Sequence, residues 1–162
     1  MASTSYLARV IYKEHTTDGS WAGSYDLLLR AKTIPSPVQP PNTVESTTLE
    51  DDSQTFEFGI KQSGTKEYTG NLEKADLEAV AALADKRIDI ITLYGTDGLG
   101  GVAKYGYVSN GAVVTPSDIG GVDSILEMTV TTVPSTSPEL ITDDITVTYN
   151  SSTHKFTVAA AT

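Results

Sequence analysis

The run Ile88-Asp89-Ile90-Ile91-Thr92-Leu93-Tyr94 decides the class of this chain. Rich in β-branched residues and ended by the glycine-rich turn Gly95 to Gly101, it reads as a β-strand. Residues Val102 to Ser109 form the next strand, with Tyr105 and Tyr107 on one face, and Asn110-Gly111 is a hairpin signal. Further on, Ser124 to Val133 reads as a long strand and Pro134 to Pro138 as a loop. The segments Ile145 to Tyr149 and Lys155 to Val158 read as a hairpin around Asn150-Ser151-Ser152.

Upstream the periodicity changes. Leu72, Leu77, Val80, Leu83 and Ala84 fall on one arc at helical spacing, with Lys74, Glu78 and Asp85 opposite. The spacing predicts a helix over about 72–86, with Asn71 as N-cap and Lys86 and Arg87 complementing the C-terminal end of its dipole. Residues 24–34 alternate as a half-buried strand. Pro35-Ser36-Pro37-Val38-Gln39-Pro40-Pro41 then holds four of the seven prolines and reads as extended and unpaired. Residues 43–60 read as two short β segments around a polar tip that contains Glu50-Asp51-Asp52. Tyr68 lies in another short segment before Gly70. The chain is expected to be mostly β, with one amphipathic helix packed on it.

The length of 162 residues fits one domain with a real core. Hydrophobic residues make up 39% and charged residues 20%, an ordinary globular balance. The longest apolar stretch, Ala79 to Ala84, is far short of a membrane span. Met1-Ala2-Ser3-Thr4-Ser5 has neither the basic nor the apolar region of a secretory signal, although a mature secreted protein would look the same. Cysteine is absent, which excludes disulfides, thiolate metal sites and a cysteine nucleophile. The net charge of -10 repels duplex nucleic acid, and Lys86-Arg87 is a pair rather than a basic patch.

Residues with chemical potential are scattered. His15 and His154 both lie in polar stretches and read as solvent-facing. There is no G-x-S-x-G elbow for a triad, and two histidines without cysteine make a poor zinc set. Gly98-Leu99-Gly100-Gly101-Val102-Ala103 matches G-x-G-x-x-A after a strand. A dinucleotide site needs a helix next, whereas Val102 to Val108 has strand periodicity, so a loose hairpin turn is expected. Glu50-Asp51-Asp52 and Asp143-Asp144 lack calcium-loop spacing and read as solvated tips. The sequon Asn150-Ser151-Ser152 carries meaning only on a secretory route. Trp21, in a glycine-flanked loop, reads equally as an interface anchor or as a side chain folded back on its own core. No catalytic, cofactor-binding or metal-binding residue is expected, and no enzyme.

The segment Leu27 to Gly64 carries a resemblance. A strand ending Lys32-Thr33-Ile34-Pro35 leads into the prolines, then Val44-Glu45-Ser46-Thr47-Thr48-Leu49-Glu50-Asp51, then Phe56-Glu57-Phe58-Gly59-Ile60-Lys61. This pattern, and the order of elements over roughly 24–133, resembles the major tail tube protein of long-tailed, siphovirus-type bacteriophages. The resemblance implies a β-sandwich or partly closed barrel with one flanking helix and a long extended arm over about 35–66. The arm would be mobile in the free protein and would order on neighbouring subunits. It implies a single tail-tube-like domain over 1–162. The N-terminal segment 1–23 and the C-terminal hairpin 145–158 lie beyond the match and are possible assembly extensions. The implied partners are further copies, in stacked hexameric rings, and other tail proteins such as tape measure, tail-tip and tail-terminator proteins. DNA would be passing cargo, with no membrane and no cofactor. The implied location is the virion tail, assembled in the host bacterial cytoplasm. Interface candidates are Pro35, Pro37, Pro40, Pro41, Val44, Thr47, Leu49, Phe56, Phe58 and Trp21. Acidity fits this reading: six copies carry on the order of -60, and a lumen-facing part would repel phosphate over about 8 Å. The main rival is a β-sandwich adhesion or carbohydrate-binding module. A second is the tube subunit of a contractile injection machine.

Overall fold

The computed structural model describes residues 8–15, 21–38, 41, 43–50, 52–58, 64–95, 98–122, 125–136, 138–142 and 145–160. Among them the strands are β1 (Arg9–Glu14), β2 (Gly23–Leu27), β3 (Ala31–Thr33), β4 (Thr43–Glu45), β5 (Phe56–Phe58), β6 (Lys66–Asn71), β7 (Ile88–Tyr94), β8 (Ala103–Pro116), β9 (Glu127–Pro134), β10 (Glu139–Leu140), β11 (Ile145–Asn150) and β12 (Lys155–Ala160). The one helix, α1, spans Lys74–Ala81. The fold is mostly β, as the strand periodicity requires.

The main sheet runs β11-β12-β2-β1-β7-β8-β9-β6-β3, with β10 joined to the first half of β8; β4 and β5 form a separate two-stranded sheet. Every pairing is antiparallel. The central strand β7 is bordered by β1 and β8, and its residues Ile88 to Leu93 are all buried. Alternation sends Ile88 and Ile90 into one cluster with Val10, Tyr68, Val80, Leu83, Met128 and Val130. Ile91 and Leu93 enter a second cluster with Ile11, Tyr25, Val147, Phe156 and Val158. The helix covers the first core; the C-terminal hairpin β11–β12 covers the second.

The sheet is a curled half-barrel. The chain leaves it as β2, third along the path, and rejoins it as β3, at the far end. Three residues, Leu28 to Arg30, make that passage, a span from Leu27 to Ala31 of roughly 14 Å at most. The far edge must therefore bend round to meet them. Leu28 and Leu29 are both buried at the crossing. The 24–34 segment, read as one strand, is thus two strands in different parts of the sheet. At the seam Gly70 pairs with Ala31, and a Cβ on Gly70 would lie 2.4 Å from the Arg30 carbonyl oxygen.

Three local expectations are corrected. The helix is shorter than 72–86, and its N-cap is Glu73, with no side-chain cap hydrogen bond, rather than Asn71. Because the helix ends at Ala81, Lys86 and Arg87 lie outside its last turn. Lys86 pairs with Glu14 at 3.6 Å, and the Arg87 guanidinium donates to the Ser135 hydroxyl. Asn110-Gly111 is not a hairpin turn: β8 runs straight through it, with a register shift between Ser109 and Ala112. Gly111 has φ +124°, and a Cβ there would stand 2.4 Å from the Ala84 carbonyl oxygen. The glycine lets the sheet pass against the unwinding end of the helix, where the Ala112 amide donates to the Leu83 carbonyl at 3.4 Å.

Polar groups are folded into the cores. The Tyr68 and Tyr107 hydroxyls lie 2.6 Å apart, and Tyr107 is 2.7 Å from the Thr132 hydroxyl, linking β6, β8 and β9. Tyr25 donates to the Trp21 carbonyl at 2.6 Å. Burial, the largest cause in each case, raises all three phenols above their ordinary pKa of 10; the neighbouring Tyr107 adds for Tyr68 and Asp89 adds for Tyr25.

Two predictions follow from this packing. Gly70→Ala and Gly111→Ala should each lower unfolding free energy by about 2–4 kcal/mol in urea titrations, since each Cβ meets backbone rather than a movable side chain. Gly64→Ala, with nothing near its Cβ, should change stability little. Raised native phenol pKa values mean that the unfolded chain releases protons first. Stability contributed by Tyr25, Tyr68 and Tyr107 should be intact below about pH 10 and fall above it. In a phenolate absorbance titration these three should ionise only as the fold is lost, whereas stability unchanged well above pH 10 would contradict their burial.

Candidate assembly surfaces

The arm is a hairpin. β4 and β5 pair Thr43 with Phe58, Val44 with Glu57 and Glu45 with Phe56, and neither strand joins the main sheet. Small hydroxyl residues continue the ladder. The Ser46 amide donates to the Thr55 carbonyl at 2.9 Å, and the Thr55 amide donates to the Thr47 hydroxyl at 2.9 Å. A two-stranded hairpin is marginal by itself, so these rungs give the arm what local order it has. Directly opposed residues share a face, so each face pairs an apolar side chain with an acid: Val44 with Glu57, Phe56 with Glu45.

The arm carries exposed apolar side chains. Val44 is 56% exposed, Phe56 57% and Leu49 fully so. A second apolar projection is the connection between β8 and β9, where Ile119, Val122 and Ile125 all stand largely in solvent. Scattered exposed apolar residues are ordinary; clusters of them are candidate contact surfaces.

The other interface candidates take varied positions. Thr47 is exposed and serves the hairpin. Pro35 and Pro41 are half-buried, and Pro37 is buried, so Pro37 stands behind the surface rather than on it. The proline segment is strapped to the body by the buried Lys66, whose ammonium donates to the Ser36 carbonyl at 3.0 Å. Phe58 lies in β5. Trp21 packs against the second core over Gly106, where a Cβ would come within 2.9 Å of its ring. Of its two readings, folding back on its own core is the geometry observed. Pro40, Asp51, Ile60 and Asp143-Asp144 lie outside the described residues.

Sequence reasoning missed a cleft of about 980 Å³ beside the β2–β3 crossing. Its walls are the start of β1, the crossing itself, α1 and the tip of the β11–β12 hairpin. Arg9 sits on one side with its guanidinium 5.4 Å from the Phe156 ring centroid and 5.7 Å from that of Tyr149. Arg30 lines the other side and is exposed. Asp26 is paired with Lys155 at 3.2 Å. Burial raises the Asp76 carboxyl, Glu73 adds to that, and Arg30 opposes it. Asn71 Oδ1 is buried there without a hydrogen-bond partner among the described residues. No sequence signal could reveal this cleft, because its residues come from both ends and the middle of the chain.

Buried charge elsewhere serves the fold. Asp89, on β7, is 2.7 Å from His15 Nδ1 and 3.5 Å from the Lys13 ammonium, so His15 is tied to the sheet rather than free in solvent. His154 closes the last hairpin at φ 57°, with Nδ1 3.0 Å from the Tyr149 hydroxyl. In the same turn the sequon residue Asn150 accepts from the Ser152 amide through Oδ1. Gly98 and Gly100, at positive φ, shape the β7–β8 connection, and β8 follows it. With no helix there, the pyrophosphate cradle of a dinucleotide site is not formed. Among the described residues no group of three or more His, Cys, Asp or Glu gathers to hold a metal ion, and no helix is long and apolar enough to cross a membrane. No protein-family model matches the chain, and no curated protein does.

If the two projections are surface rather than core, Leu49→Ser, Ile119→Ser and Val122→Ser should each leave the unfolding free energy from urea titration within about 0.5 kcal/mol of the parent. Ile90→Ala, in the first core, should cost about 2–5 kcal/mol. A large loss from the exposed set would show that the projections pack within the monomer.

Proposed function

We propose that the chain is a structural subunit of a phage tail tube, self-assembling into stacked hexameric rings whose channel passes DNA to the host. The observation that carries this reading is the arm. An exposed hairpin with apolar Val44, Leu49 and Phe56 projects from a curled, mostly β body with one flanking helix. A monomer gains nothing from holding such side chains in water, whereas an assembling subunit gains an anchor for its neighbour. Eight residues, Thr43 to Glu50, reach roughly 26 Å when extended. That exceeds the radius of gyration of about 15 Å expected for a domain of this length, so the arm can touch another copy. The net charge of -10 supports a channel along which phosphate slides without sticking.

In this reading the partners are further copies and the other tail proteins, the location is the virion tail, and the protein has no enzymatic role. A second reading, a carbohydrate-binding or adhesion module, is favoured by one feature: the cleft walled by Tyr12, Tyr149 and Phe156 with Asp26 and Arg9 among them. Aromatic faces beside mixed charge are the chemistry of sugar recognition.

Negative-stain electron microscopy of the concentrated protein separates the two. Six-fold rings or hollow tubes are expected; isolated particles that retain a glycan would overturn the tube reading in favour of the module. Replacing residues 46–55 by Asn-Gly would close β4 onto β5 with a two-residue turn and remove the tip. This variant should keep its melting temperature and lose ring or tube formation. Tubes of normal abundance from it would exclude the arm tip as an assembly element.

A further inference from the structure

We propose that the acidic arm of one copy docks in the cleft of a second copy, Leu49 against the cleft's apolar lining and Glu50 and Asp52 facing Arg30 and Arg9. This rests on the self-assembly reading and adds to it the identity of the receiving surface.

Charge complementarity selects the occupant. Residues 43–58 contain Glu45, Glu50, Asp51, Asp52 and Glu57 and no lysine, arginine or histidine. The cleft is the reverse. Arg9, Arg30 and Lys32 line it against Asp26 and Asp76, a balance of three positive to two negative, in a chain whose overall charge is -10. With Asp26 matched by Lys155 and Lys32 by Glu127, the charges left to the cleft are Arg9 and Arg30 against Asp76. Lys32 is held by Glu127 at 2.8 Å, while Arg30 makes no salt bridge among the described residues. Arginine there can grip a carboxylate with two parallel hydrogen bonds.

Shape and apolarity agree. The apolar lining that reaches the surface comes from Ala8, Leu27, Ala31, Ala79 and Tyr149, with Leu29 and Phe156 buried behind it. Leu49 is the most exposed side chain of the arm and sits beside Glu50 at its tip. Both arm and cleft occur once per chain and are different surfaces. The contact is therefore head-to-tail, the kind that propagates into rings or filaments rather than closing a two-fold dimer.

A charge swap tests this on the full-length protein. Arg30→Glu and, separately, Glu50→Lys with Asp52→Lys should each raise the concentration needed for assembly at least about tenfold by sedimentation, the equivalent of about 1.4 kcal/mol. All three positions are exposed, so melting temperatures should not move. An equimolar mixture of the two variants should assemble at the parent concentration, because basic arms then meet acidic clefts and acidic arms meet basic ones in alternation. Unchanged assembly of Arg30→Glu, or a mixture no better than its parts, would overturn the docking and leave tube formation standing if the parent still forms tubes. Recovery in the mixture without six-fold rings would keep the docking and overturn the tube. A parent that stays monomeric at every concentration would overturn both. A glycan retained by the monomer, lost in Arg30→Glu and kept in the arm variant, would assign the cleft to sugar and overturn the docking.

Discussion

The structure depends on a strand that has no wet face. β7 is flanked in the sheet by β1 and β8 and covered above and below, so each of Ile88 to Leu93 is buried. A strand of that kind cannot hold one core together; it divides two. What packs on each side is then fixed by parity. Even-numbered isoleucines face the helix, and odd-numbered apolar residues face the C-terminal hairpin. A charged side chain on such a strand must find partners inside the protein. Asp89 does so through Lys13 and His15, both on or next to the neighbouring strand β1. The ion pair is a consequence of β7 being central, and it ties the register of β1 to that of β7.

From β7 outward, the sheet closes through a very short piece of chain. Leu28 to Arg30 carry the backbone from the third position of the sheet to its far edge, and only a strongly curled sheet puts those two places so close. The β11–β12 hairpin does not take part in that curl. It continues past β2 on the other side, and the cleft opens where the two diverge. The same divergence explains why Arg30 is exposed beside two buried leucines: the crossing turns its apolar residues into the first core and its charge into the cleft.

Strand periodicity made much of this legible. The runs at 88–94, 102–109, 145–149 and 155–158 all became strands, and of the predicted helical arc Leu77 and Val80 pack from the helix while Leu83 packs from the turn just after it. What stayed hidden was everything decided by contacts between distant residues. Asn110-Gly111 has the composition of a hairpin turn, but the glycine is required by the Ala84 carbonyl that approaches it, and no local pattern contains Ala84. The break within 24–34 was invisible because alternation continues on both sides of it; closure of the sheet, not propensity, splits the strand. The helix ends early for a similar reason. Just past it the Leu83 carbonyl accepts from the Ala112 amide of β8, a contact that competes with the helix preference of Ala82 and Ala84. The arm was visible as two short β segments, whereas the cleft was not.

Charge sets the terms on which copies of this chain could associate. Two bodies of -10 each at a centre distance of ~30 Å repel by about 14 kcal/mol in water without salt. At physiological ionic strength, with a screening length of about 8 Å, the repulsion falls to about 1–2 kcal/mol. Full burial of one leucine or phenylalanine offsets that amount by itself, at about 1.5–3 kcal/mol. The proposed assembly therefore needs few contacts, provided that they are apolar and placed where the local charge is not repulsive. The arm meets the first condition with Leu49, Phe56 and Val44, but its five acids fail the second everywhere except against a cationic surface. The cleft with Arg9 and Arg30 is such a surface. In the proposed contact the acids of the arm would choose the surface: repelled from most of a neighbouring acidic body, they would be held where Arg9 and Arg30 line the cleft.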